Sequence, residues 1–270
     1  MKTAIIVPAR YGSTRFPGKP LAKLGGISMV VRTAKNAQLA ATALGDAVAM
    51  VATDDSRIME HCKAEGLLCL MTDSDLPSGS DRALAAVTAY EAQSSMSIDT
   101  IVNLQGDAPF TPPAHVESVV NCLRTNKHFD VATPFIQLDW AALDQLRRHK
   151  ETTPFSGTTL VSDDSGKALW FSKNIIPAIR KEDDLRLSAT LSPVRRHIGL
   201  YAYRKSTLEK YVSLPIGHWE ALEGLEQLRC LENGISIGCV GVEPAEVAIS
   251  GIDTPEDLKR AEAMLMALNR

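Results

Sequence analysis

The sequence predicts an α/β fold built around a mostly parallel sheet, and two observations lead to this prediction. Short apolar runs alternate with helical segments along the first 110 residues, and a polar loop follows most of the runs. A strand, a helix and a second strand of these lengths form a βαβ unit, whose crossover makes the two strands parallel. We therefore expect functional side chains beyond the carboxyl ends of these strands.

The composition limits the classes of protein to consider. A chain of 270 residues allows one large domain or two smaller ones, and its content of 45% hydrophobic and 23% charged residues is typical of a globular protein. A net charge of −3 argues against a nucleic-acid partner bound by bulk charge. No apolar run reaches the roughly 18 residues of a membrane span, and the first residues lack the features of a signal peptide. Five scattered cysteines without a CxxC pair predict buried free thiols in a reducing cytoplasm.

The first element is a buried strand, residues 4–7, which we expect to stop at Pro8. The loop from Pro8 to Pro20 carries three cations, Arg10, Arg15 and Lys19, together with glycines and hydroxyl groups. Such a loop suits a polyphosphate, because glycines let backbone amides turn inward while the side chains donate further hydrogen bonds. It is not a P-loop, since five residues rather than four separate its glycines and proline follows its lysine. The alternative, an ordinary basic surface loop, is hard to reconcile with three cations beside a buried strand end.

The elements predicted next are helix 28–40, strand 47–53, a helix ending at Gly66, and strand 67–71. No GxGxxG motif follows these strands, so a dinucleotide-binding fold has little support. A further helix is predicted from about Asp81. Ser78, Gly79 and Ser80 at its start offer hydroxyls and free amides for an anion or a base edge, although plain N-capping is the alternative.

Two aspartates are candidate ligands of a magnesium ion. The fourth strand, which starts at Thr100, delivers Gln105 and Asp107 at its carboxyl end. An aspartate there, facing a basic phosphate loop, suits Mg²⁺, and a turn-forming aspartate is the alternative. Asp253 lies in a turn before the last helix, for which we predict Thr254 as N-cap and Pro255 as first residue.

The second half has a different pattern. We predict strand 130–138, helix 141–150, a hairpin over 158–172 with its turn at 163–166, and a polar, mobile loop over 179–191. Strand 195–204 carries Arg196, His197 and Tyr201, which together suit an acidic, hydroxylated ligand, although a lone histidine is more often structural. An acidic helix, 219–233, ends at Gly234 and precedes strand 235–242. A solvated face is the commoner interpretation of its glutamates, Glu220, Glu223 and Glu226.

Eight stretches together resemble the CMP-Kdo synthetases, the cytidylyltransferases that activate 3-deoxy-manno-octulosonate (Kdo). They occur in the family's order and run almost from end to end: IIVPARYGSTRFPGKPL, VATDDSRI, PSGSDR, VNLQGDAP, ALWFSK, RRHIGLYAYR, LEGLEQLRCLENG and GIDTPEDL. The resemblance implies a Rossmann-like, GT-A-like nucleotidyltransferase sheet in a single domain, residues 1–270. It also implies a smaller mixed α/β subdomain inserted at 155–205, which binds the sugar and forms a homodimer.

The resemblance further implies a reaction, in which the anomeric hydroxyl of the acidic 3-deoxy sugar attacks the α-phosphorus of CTP and releases pyrophosphate. Catalysis then depends on orientation and charge neutralisation. The implied catalytic residues are Arg10, Lys19, Asp107 and Asp253, the last two holding Mg²⁺. The implied nucleotide contacts are Ala9, Arg10, Ser13, Arg15, Lys19, Ser78, Ser80, Arg82 and Gln105. The implied sugar contacts are Gln105, Arg196, His197, Tyr201, Glu223 and Glu226.

Three departures from the family pattern fall on the implied sugar side. Ala108 replaces a glutamate, Thr159 falls in a stretch that lacks the usual lysine, and Lys173 replaces an arginine. Two alternatives therefore stay open at this point: the same reaction on a related acid sugar, such as 8-amino-Kdo or a nonulosonate, and a non-catalytic CTP-binding paralogue.

Overall fold

The computed structural model describes residues 2–12, 16–246 and 251–268, and within them ten strands form one large sheet. The strands are β1 Thr3–Ala9, β2 Lys23–Leu24, β3 Ile27–Ser28, β4 Ala47–Thr53, β5 Cys69–Met71, β6 Thr100–Leu104, β7 Val131–Asp139, β8 Thr159–Ser162, β9 Ala168–Ser172, β10 Leu191–His197, β11 Leu200–Arg204 and β12 Ile237–Gly241. The short strands β2 and β3 pair only with each other.

Helices pack on both faces of this sheet. They are α1 Met29–Leu44, α2 Ser56–Ala64, α3 Gly79–Ser94, α4 Pro113–Thr125, α5 Trp140–Thr152, α6 Glu182–Ser188, α7 Lys205–Ser213, α8 His218–Glu223, α9 Gln227–Glu232 and α10 Pro255–Leu268, with a 3₁₀ turn at Lys19–Leu21. Among the described residues, no helix is both long and apolar enough to cross a membrane.

The sheet has a parallel half and a mixed half. Strands β5, β4, β1 and β6 lie side by side and all pair in parallel, which confirms the α/β prediction. Strand β11 then pairs antiparallel with both β6 and β7, and β10, β8 and β9 continue the sheet in antiparallel order. Strand β7 is long enough to have two partners along one edge, β12 beside its first half and β10 beside its second.

Strand β1 shows why this sheet is buried on both faces. Ala4 and Ile6 belong to one core, with residues of α3, α7 and α9, whereas Ile5 and Val7 belong to the other, with residues of α1, α2 and α4. Successive strand residues point to opposite faces, so a strand buried on both sides needs an unbroken apolar run. This requirement explains the apolar run of residues 4–7.

The prediction that β1 stops at Pro8 is wrong, because the strand continues to Ala9. Pairing with β6 ends at Ile6, so beyond it β1 has a strand neighbour only on the β4 side. Proline lacks an N–H group and is tolerated where one edge of a strand needs no donor.

Three predictions for the second half are also wrong. The segment predicted as a loop over 179–191 contains helix α6, and the single strand 195–204 is divided into β10 and β11. The predicted helix 219–233 is two helices, because Gly224 adopts a left-handed φ of 61° between α8 and α9. The hairpin of β8 and β9 is confirmed, and its role in a sugar-binding and dimerisation subdomain at 155–205 stays a prediction.

Candidate functional site

The candidate site lies at the edge of the sheet formed by the carboxyl ends of β1, β4 and β6. Arg10 directly follows β1, Asp54 directly follows β4, and Asp107 comes three residues after β6 ends. The strands are parallel and adjacent, so their polar side chains meet at one edge, as expected for an α/β fold.

Lys19 lies between the two aspartates that the sequence proposes as metal ligands. Its Nζ donates to Asp107 Oδ2 at 2.9 Å and to Asp253 Oδ1 at 3.2 Å, and its side chain is 15% exposed. The backbone holds the two acidic segments together, since the amide of Ile252 donates to the carbonyl oxygen of Asp107 at 2.9 Å. Thr254 Oγ1 accepts a hydrogen bond from the amide of Asp257, which confirms the predicted N-cap of the last helix, α10.

The two carboxylates suit a divalent cation bound together with a nucleotide. They already converge on one ammonium group, so their oxygens can meet on a single ion. Within the described ranges no cluster of three His, Cys, Asp or Glu side chains could hold a metal unaided. Magnesium is commonly bound by one or two carboxylates, with phosphate oxygens and water completing its octahedron. The metal role of Asp107 and Asp253 stays a prediction.

A second charged network joins β1, β4 and α3. Arg82 Nη2 donates to Asp54 Oδ2 at 2.8 Å, and Arg10 Nε donates to the same oxygen at 3.3 Å. Arg10 Nη2 also donates to the carbonyl oxygen of Ser74 at 2.5 Å. Arg82 is fully buried, and burial lowers the pKa of its guanidinium. The sequence-based reasoning placed Arg10 and Arg82 at the nucleotide but assigned no role to Asp54, although Asp54 follows a strand end as Asp107 does.

The start of α3 shows the predicted N-cap. The Oγ of Ser78 accepts from the amides of Ser80 and Asp81, each at 3.2 Å, and donates to Asp81 Oδ2 at 2.5 Å. Ser80 is 1% exposed, and its Oγ lies 3.4 Å from Nδ2 of Asn103. The structure therefore shows contacts of both serines with the protein itself, and their nucleotide contacts stay predictions.

The remaining nucleotide candidates lie in different surroundings. Gln105 is exposed at the end of β6, whereas Ala9 is buried in the core. Ser13 and Arg15 lie outside the described residues.

Arg196 on β10 is the most suggestive side chain of the predicted sugar side. Within the described part of the chain its guanidinium has no hydrogen-bond or ion-pair partner, and burial lowers its pKa. Burial lowers the pKa of Lys150, and the positive charges of Lys173 and Arg196 lower it further. A poorly hydrated arginine without a protein partner, close to two lysines, favours an anionic ligand.

Glu223 places a carboxylate close to the cations Lys150 and Lys173. Its Oε1 accepts from Ser172 Oγ at 2.9 Å, and its Oε2 accepts from the amide of Lys173 at 2.8 Å. Lys150, which the sequence-based reasoning did not single out, donates from Nζ to the carbonyl oxygens of Gly157 at 2.9 Å and Lys173 at 2.5 Å. It therefore joins the backbone at Lys173 to the segment before β8.

His197 and Tyr201 form an aromatic layer rather than a charged contact. His197 Nε2 lies 2.8 Å from Thr133 Oγ1, and its ring centroid lies 5.5 Å from that of Tyr201. Burial, helped by the charge of Lys173, lowers the pKa of His197 to about 3, so the imidazole is neutral. Arg196 precedes His197 in the same strand, so the two side chains leave opposite faces. The roles of His197 and Tyr201 in sugar binding stay predictions.

The acidic segment 219–233 contains more than a solvated face. Glu220 is buried and pairs with Arg229 through two hydrogen bonds, at 2.7 and 2.5 Å, and Glu223 faces β9 as described above. Glu226 is an exposed residue. The solvated-face interpretation is therefore wrong for Glu220 and Glu223.

Two of the three departures have structural explanations. Thr159 is buried; its Oγ1 donates to the carbonyl of Asn174 at 2.7 Å and accepts from the amide of Ile176 at 3.0 Å, so it shapes the loop after β9. Lys173 keeps a cation beside Glu223. Nothing in the structure explains Ala108, whose amide closes the turn onto Gln105.

The chain is similar over its whole length to proteins that transfer cytidylyl groups. The cytidylyltransferase family model matches residues 4–237. A 3-deoxy-manno-octulosonate cytidylyltransferase from Maricaulis maris is 41% identical over 99% of this chain and 98% of its own. An 8-amino-3,8-dideoxy-manno-octulosonate cytidylyltransferase from Shewanella woodyi is 38% identical over 98% of this chain and 99% of its own. A solved structure of CMP:2-keto-3-deoxy-manno-octonic acid synthetase complexed with CTP has a TM-score of 0.81 at 34% identity, with 100% of both chains covered.

Proposed function

Because the chain belongs to the cytidylyltransferase family, we propose that it transfers the cytidylyl group of CTP to the anomeric hydroxyl of Kdo. The products are CMP-Kdo, used in lipopolysaccharide biosynthesis, and pyrophosphate. The observation that carries the proposal is the cluster of Lys19, Asp107 and Asp253 beyond the parallel strands, in a chain of this family. It combines a phosphate donor with two metal ligands.

The nucleotide occupies the edge formed by β1, β4 and β6. Arg10 and Lys19 donate to the triphosphate, together with Ser13 and Arg15 of the opening loop. Asp107 and Asp253 hold Mg²⁺, our proposed cofactor, which polarises the α-phosphate and lowers the pKa of an attacking hydroxyl when bound. With Asp107 and Asp253 holding the ion, Lys19 would exchange its carboxylate partners for phosphate oxygens.

The sugar acid lies on the Arg196 side. Its carboxylate pairs with Arg196, whose guanidinium has no partner in the described part of the protein, while Glu223 is placed to accept from sugar hydroxyls. Gln105, exposed just after β6, contacts both substrates in this proposal, because β6 lies between β1 and β11 in the sheet. Bidentate pairing of a guanidinium with a carboxylate fixes orientation as well as charge.

The reaction is a direct displacement at the α-phosphorus, with no covalent enzyme intermediate. The chain's own residues orient the anomeric hydroxyl in line with the leaving pyrophosphate. Arg10 and Lys19 neutralise the charge that develops on the pyrophosphate. Positioning and electrostatic stabilisation of this kind account for most of catalysis in phosphoryl-type transfers.

The test is pyrophosphate release from CTP, UTP and GTP with Kdo, 8-amino-Kdo and a nonulosonate as acceptors. We expect turnover with CTP and Kdo. The 38% identity to an 8-amino-Kdo enzyme makes that sugar the second candidate, so turnover with 8-amino-Kdo alone would replace Kdo in the proposal. Binding of CTP without turnover of any sugar would indicate a non-catalytic paralogue.

We also propose a cytoplasmic homodimer. All five cysteines are free, which suits a reducing compartment. Leu185, Leu187 and Leu191, within the predicted subdomain, are 39%, 89% and 49% exposed, and neighbouring exposed leucines favour a protein partner. Light scattering tests the dimer, and a monomer at micromolar concentration would contradict it.

A further inference from the structure

Asp54 is the common acceptor of two arginines that differ in exposure. The side chain of Arg10 is 43% exposed, whereas that of Arg82 is fully buried, and both donate to the same oxygen of Asp54. Arg82 reaches no solvent, so it cannot be a surface donor in this structure. Arg10 Nε and Nη2 each donate one hydrogen bond, whereas its Nη1 has no hydrogen-bond partner among the residues that the structure describes.

Without a carboxylate between them, the two guanidinium groups would repel each other. Arg82 Nη1 also donates to Thr72 Oγ1, and its Nε has no partner among the described residues. Within those residues Asp54 is the one carboxylate that hydrogen-bonds Arg82, although the charge of Asp73 also acts on it. Removing one member of a buried ion pair leaves the other charge desolvated and uncompensated. Asp54 therefore holds Arg82 in α3 and, through the same oxygen, fixes where the Arg10 side chain lies.

We propose that Asp54 is a positioning residue for the triphosphate of CTP, holding Arg10 at the opening of the site against the buried anchor Arg82. This inference rests on the proposed function, because it takes Arg10 to be a phosphate donor. It also assigns Arg82 a supporting role behind Arg10 rather than contact with the nucleotide. An arginine held in place loses less side-chain entropy on binding, so its phosphate contact contributes more affinity.

The alternative is that the Asp54–Arg82 pair only joins β4 to α3. A double-mutant cycle distinguishes the two roles, because a residue that acts through Arg10 has little left to do once Arg10 is removed. The variants are Asp54→Asn, Arg10→Ala and the double variant. Glu91→Gln is the matched control. Glu91 lies on α3, as Arg82 does, and forms a partly exposed ion pair with Lys205 at 2.6 Å, near the amino end of β6.

The measurement is the CTP dissociation constant by isothermal titration calorimetry in the presence of Mg²⁺, with folding checked by circular dichroism. We expect Asp54→Asn to weaken CTP about tenfold and Glu91→Gln to change it less than twofold, while the KM for Kdo stays the same. In the Arg10→Ala background, Asp54→Asn should add less than about a twofold further loss. If Asp54→Asn does not fold, Asp54→Glu keeps the charge beside Arg82 and should still weaken CTP severalfold.

Each outcome bears on a different statement. Equal losses from Asp54→Asn with and without Arg10 would assign Asp54 a structural role only, and unchanged or tighter CTP binding would also overturn the proposal. A wild-type protein that binds no CTP would instead contradict the proposed function. These two failures are distinguishable, because the second is seen before any variant is made.

Discussion

Replacing Lys19 by methionine tests whether the ammonium group substitutes for a cation between Asp107 and Asp253. The variant removes the charge but keeps most of the apolar length of the side chain. The carboxylates of Asp107 and Asp253 now converge on Lys19 Nζ, at 2.9 and 3.2 Å, and in the variant they would lose the ammonium group that offsets their mutual repulsion. We expect the folded state to be destabilised in the absence of divalent cations and to be restored when Mg²⁺ is added.

The magnitude follows from the exposure of the three side chains. Asp107 is 24% exposed and Asp253 is 44% exposed, against 15% for Lys19. A hydrogen bond to a charged group contributes about 1.5–3 kcal/mol when shielded, and an exposed ion pair contributes below about 1 kcal/mol. We therefore expect a loss of about 1–3 kcal/mol. A change of 1 kcal/mol moves the melting temperature of a chain near this size by about 2–4 °C, so Tm should fall by roughly 2–12 °C.

The assay is thermal unfolding of wild type and Lys19→Met, each with EDTA and with millimolar Mg²⁺. Mg²⁺ should raise the Tm of the variant more than that of wild type, and Mn²⁺ titrated by electron paramagnetic resonance should bind the variant more tightly without nucleotide. Lys35→Met is the control, because Lys35 forms only an exposed pair with Glu65 at 3.6 Å. Equal Tm values in EDTA, or equal Mg²⁺ effects on both proteins, would refute the reasoning.

Three further predictions concern other parts of the site. Asp107→Asn should abolish turnover while the circular dichroism spectrum stays that of wild type, and near-normal activity would exclude its metal role. Arg196→Met should raise the KM for Kdo by about 10-fold or more, because a charged hydrogen bond is lost. The CTP dissociation constant should stay unchanged, and equal losses of affinity for both substrates would contradict the assignment of Arg196 to the sugar. His197 is neutral in the folded state down to about pH 3, whereas the unfolded state binds a proton below about pH 6.5, so stability should fall as the pH is lowered through this range. Between pH 7 and pH 5 wild type should lose about 2 kcal/mol more than His197→Gln in urea unfolding, and identical pH dependences would refute the burial of a neutral imidazole.

The sequence predicted the parallel half of the fold because each decisive signal there is local. The apolar run of β1 and the polar residues at the strand ends each indicate their structure from a few neighbours. Helix α6 was missed because its polar contacts are with another element: Arg147 of α5 pairs with Glu182, and Arg186 of α6 pairs with Asp144 on α5. Such contacts between distant segments have no signature in a short window of sequence.

The same distinction applies to the site. The rule that polar side chains gather at carboxyl strand ends found Asp107, and the turn before α10 suggested Asp253. Asp54 obeys the same rule but was overlooked, because its importance depends on the buried Arg82, which only packing shows. Gly224 illustrates the opposite error. The sequence predicted one helix because the helical spacing of residues continues across Gly224, whereas the left-handed conformation of this residue ends α8.

The charged groups described at the two ends of the site have a consequence for how added salt affects binding of the sugar acid. At the nucleotide end, the described ion pairs set Arg10, Arg82 and Lys19 against an equal number of carboxylates. At the sugar end, Lys150 lies within electrostatic reach of the cations Lys173 and Arg196 and of the carboxylate of Glu223. These cations attract an incoming sugar acid, and the attraction is screened over about 8 Å at physiological ionic strength. Capture of the acid sugar should therefore slow as salt is added, even though the chain as a whole is negatively charged.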